Sequence, residues 1–60
     1  MSDADVVNKF CAVAARDGNC VQDVLTALKQ YNIESSFEEV RQLIELHYIV
    51  LNNPGMKEIQ

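Results

Sequence analysis

Two interruptions divide this chain into three stretches of helical periodicity, and they constrain its fold more than any other feature. The first is Gly18-Asn19, and the second covers residues 32–36. Before the first, Val6, Val7, Phe10, Cys11, Val13 and Ala14 recur at the i, i+3, i+4, i+7 positions of a helix face. Ser2, with Asp5 three residues on, resembles a capping box in which Asp replaces the usual Glu or Gln. Asp3 and Asp5 lie at the positive end of the helix dipole and Arg16 near its negative end. Gly18 can take the left-handed conformation that ends a helix. This predicts a first helix over about 3–16.

A second helix is expected over about 20–31. Asn19 is a good N-cap, Gln22 is placed as its box partner, and Val21, Val24, Leu25, Leu28 and Tyr31 form one stripe. Asn32, a residue that tolerates positive φ, can end it. A link this short turns the first two helices back on each other as a helical hairpin. The third helix has the clearest start. Ser-Ser-Phe-Glu-Glu at 35–39 holds two overlapping capping boxes, Ser35 with Glu38 and Ser36 with Glu39. Phe37, Val40, Leu43, Ile44 and His47 then face inward, while Glu38, Glu39, Gln42 and Glu45 face out, over about 36–46.

Beyond residue 46 the pattern supports two readings. Residues 47–51 are rich in β-branched and aromatic side chains and suit a strand. Pro54-Gly55 then makes a turn, giving a C-terminal β-hairpin with strands at 48–52 and 56–59. A two-residue type II loop would splay the strands, so the loop is expected to be longer than Pro54-Gly55. In the alternative, the third helix runs on to about Leu51, and a three-helix module with a loose C-terminal tail dimerises. The hairpin is preferred because Ile49-Val50 is unfavourable in a helix and favourable in a strand. The fold class is therefore mainly α, three short helices plus a hairpin, in a single small domain over 1–60.

Sixty residues bury only roughly 60% of their unfolded surface, close to the lower limit for independent folding. Five Lys and Arg against nine Asp and Glu give a formal charge of −4. Together with 48% hydrophobic and 23% charged residues, this describes a globular chain. It excludes a multidomain enzyme, a membrane-spanning helix and a basic nucleic-acid tail. The acidic start lacks the n- and h-regions of a secretory signal, so a cytoplasmic location with reduced thiols is expected. Cys11 and Cys20 are placed too far apart for a disulfide. Cys11 reads as a small core hydrophobe. Cys20, opening a helix, reads either as a packing residue or as a thiol of depressed pKa.

The order helix, helix, helix, two-stranded ribbon resembles a minimal winged helix-turn-helix domain. The stretch that carries it is 21–60. Val24, Leu25 and Leu28 match the scaffold helix, and Ile33 the turn. Val40 and Leu43 match the recognition helix, and residues 48–51 with 56–59 the wing. The usual turn glycine is replaced by Asn32, and the spacing from Ile33 to Val40 is about two residues too long for a compact turn. The resemblance implies a transcription regulator whose Arg41, Gln42 and wing residue Lys57 touch DNA. Charge opposes this. The five basic residues are spread along the chain with no two closer than seven positions, and the outward face of the third helix carries three carboxylates around Arg41.

No catalytic constellation is recognisable. His47, the one histidine, reads as a packing residue, and the two cysteines lack the paired spacing of a zinc site. No enzyme activity, cofactor, metal ion, small-molecule substrate or membrane association is expected. An apolar surplus is the more informative feature. Leu46, Tyr48, Ile49 and Leu51, with Val7 and Met56, form a candidate patch rimmed by Glu38 and Glu45. The primary expectation is a small non-enzymatic accessory or regulatory protein that docks on a protein partner or on a second copy of itself. In size and acidity it resembles phage- and plasmid-type accessory proteins.

Overall fold

The computed structural model describes residues 2–53, and these form three helices joined by two short links. The first, α1, spans Asp3–Asp17. Ser2 caps it in extended conformation, its hydroxyl accepting from the Asp5 amide at 3.3 Å. Gly18 ends it at φ 77°, and the amides of Gly18 and Asn19 both converge on the Ala14 carbonyl, a Schellman-type finish.

That finish moves the start of the next helix. Asn19, expected as an N-cap, instead closes α1, so α2 spans Val21–Gln30 with Cys20 as its N-cap and no side-chain cap hydrogen bond. At the other end Asn32 sits at φ 60°. The Ile33 amide reaches the Leu28 carbonyl and the Asn32 amide that of Lys29, each at 3.0 Å. This is a full Schellman motif, and the residue after the turn, Ile33, is buried against Leu28 as the motif favours. Asn32 supplies the positive φ for which a glycine is more usual.

The third helix, α3, spans Phe37–Asn52. Of the two overlapping boxes, the backbone uses the second. Ser36 is the N-cap and accepts from the Glu39 amide at 3.1 Å. The C-terminal hairpin is corrected here, since residues 48–52, expected as its first strand, are the last turns of this helix. The expected return strand at 56–59 lies outside the described residues. Each β-branched residue in a helix costs only a few tenths of a kcal/mol, and continuing the helix keeps every backbone hydrogen bond. The asparagines read as hairpin turn close the helix instead. The side-chain amides of Asn52 and Asn53 donate to the carbonyls of Tyr48 and Ile49 at 2.9 and 2.8 Å, satisfying two acceptors that a helix end leaves open.

The core is drawn from all three helices and the second link. Val7, Cys11, Ala14, Val24, Leu28, Ile33 and Val40 form one buried cluster, with Val6, Phe10, Val21, Leu25, Leu43 and Ile44 packed around it. Cys11 is fully buried, as expected, its thiol pointing at the Val40 carbonyl at 3.9 Å. Burial, and then the charge of Glu39, push that thiol above its ordinary pKa. Three residues of the expected stripes, Val13, Tyr31 and Phe37, are exposed instead. Val7 is buried in its stripe and so leaves the candidate patch. No helix of the described residues is long and apolar enough to cross a membrane.

Candidate functional site

The second half of α3 departs from the amphipathic rule. Every charged residue of this helix (Glu38, Glu39, Arg41 and Glu45) lies in its first nine positions, and residues 46–52 carry none. Of residues 46–51, Leu46 is 59% exposed, Tyr48 57%, Ile49 41% and Leu51 43%, with His47 and Val50 half-buried. At about 100° per residue these side chains ring the helix and do not line one stripe. Taking buried Val40 as the core direction, Leu46 and Ile49 point away from the core. Tyr48 lies on one flank beside Ala15 and Gly18 at the end of α1 and Val21 at the start of α2. Leu51 faces Ala12, Val13 and Arg16 across a shallow groove. A helix apolar on all sides belongs to an interior, yet these two turns have core on one side only.

The carboxylates expected to rim this patch are held together on a neighbouring flank. Arg41 pairs with Glu38 three positions before it and with Glu45 four after, the latter at 3.3 Å. Gln42 donates a further bond to Glu38 at 3.3 Å. The Arg41 guanidinium, by hydrogen bond and then by charge, holds the Glu38 carboxyl below the usual carboxylate range. Glu38 and then Glu45 raise the pKa of Arg41 in return. Arg41 and Gln42, the two recognition-helix residues expected to reach DNA, are therefore both turned onto Glu38, and Lys57 lies outside the described residues. Met56, expected to extend the patch, also lies outside them.

His47 packs as expected, half-buried against α1, and its Nε2 lies 2.8 Å from the Asn8 side-chain oxygen. Cys20 is exposed at the α2 N-cap, and both cysteines are free. Among the described residues no three His, Cys, Asp or Glu side chains are grouped to hold a metal ion.

A second apolar surface escaped the sequence reading. Val6, Phe10 and Val13 line the outer side of α1, and Phe10 meets the exposed ring of Tyr31 with centroids 5.5 Å apart and planes at 60°. Its signal in the sequence is the 6, 10, 13 spacing, a second helical row directly beside the core row of Val7, Cys11 and Ala14. Comparison of the chain with protein-family models, curated proteins and solved structures found no match.

Proposed function

We propose that this chain is a small non-enzymatic accessory or regulatory protein that works by docking the last two turns of α3 on another protein surface. One observation carries the reading. Residues 46–51 carry no Asp, Glu, Lys or Arg and, apart from His47 packed against α1, are aliphatic or aromatic, and four of the six are exposed. Exposed apolar surface concentrated in this way marks contact sites. The carboxylates of Glu38 and Glu45 beside it suit a rim, where charge sets orientation and encounter rate more than affinity. The engagement of Arg41 by two carboxylates favours a protein partner over nucleic acid, since each phosphate contact needs a free cation.

The test uses Leu46→Glu and Tyr48→Glu in pull-downs and sedimentation against the unchanged chain. Both variants are expected to lose bound partner while keeping the helical circular dichroism of the parent. If neither variant alters what is bound or how the chain sediments, the reading fails. Binding of duplex DNA at about 50 mM salt that is lost in Arg41→Ala would instead support the transcription-regulator alternative.

A further inference from the structure

We draw no further inference here: the strongest candidate, the apolar groove on the outer side of α1 between Val6, Phe10, Val13 and the exposed ring of Tyr31, is an unpartnered face, and nothing in the structure shows what covers it.

Discussion

Cys11 and Cys20 show how far one residue's behaviour follows from its place on a helix. Cys11 lies on the inner row of α1 and has no exposed surface, whereas Cys20 precedes α2 and is open to solvent. A disulfide-exchange reagent at pH 8 is therefore expected to titrate one thiol at once. The other should react at least about a hundredfold more slowly, through global opening alone. Mass mapping should find the fast label on Cys20, and two fast thiols would contradict the buried position of Cys11. Because the folded chain holds the Cys11 thiol above its ordinary value of 9.0, it binds a proton that the unfolded chain releases. That share of stability is complete below the unfolded pKa and falls away as pH rises through the folded one.

At the scale of the element, the two serines before α3 separate backbone need from sequence pattern. Ser36 accepts the Glu39 amide, while the carboxylate assigned to Ser35's box, Glu38, is taken by Arg41. Replacing Ser36 with Ala is expected to cost about 1 kcal/mol in denaturant unfolding, and Ser35→Ala much less. Equal losses would mean that both boxes operate. Glu38 gives a second check on the same turn. Its folded pKa is lowered, so the Arg41 pair contributes above the ordinary carboxyl pKa and is lost as pH falls through the folded value. In carboxyl NMR titrations the Glu38 midpoint should move up in Arg41→Ala and, through screening of an exposed pair, in high salt.

The starts of α1 and α3 were legible in the sequence because capping and periodicity are local, while that of α2 was shifted by Asn19 closing α1. Asn32's positive φ was legible for the same reason. The end of α3 was not. Ile49-Val50 favours a strand by propensity, but propensity is a weak prior, and the outcome followed from backbone hydrogen bonds continuing along a helix packed on α1. Asn52 and Asn53 were equally ambiguous, since asparagines that open a turn and asparagines that cap the last carbonyls look alike in sequence. Leu46, Tyr48, Ile49 and Leu51 are exposed as the sequence suggested, whereas Val7, expected beside them, is buried. What the sequence concealed was that they ring the helix.

For the whole molecule, the question is how a chain of this size divides its apolar residues between core and surface. Leu28 and Leu46 put it in one comparison, with the same side chain at 0% and 59% exposure. Leu28 belongs to the cluster that joins all three helices. Truncating a fully buried leucine to Ala costs about 2–5 kcal/mol. A chain of 60 residues has roughly 3–9 kcal/mol in total at 0.05–0.15 per residue. Leu28→Ala should therefore be largely unfolded or lose most of its denaturant midpoint. Leu46→Ala removes the same atoms from water-exposed surface and should change stability by less than about 0.5 kcal/mol. Urea melts of both variants decide it. A Leu46→Ala loss as large as that of Leu28→Ala would place Leu46 in the fold's own core and remove the basis for a docking surface.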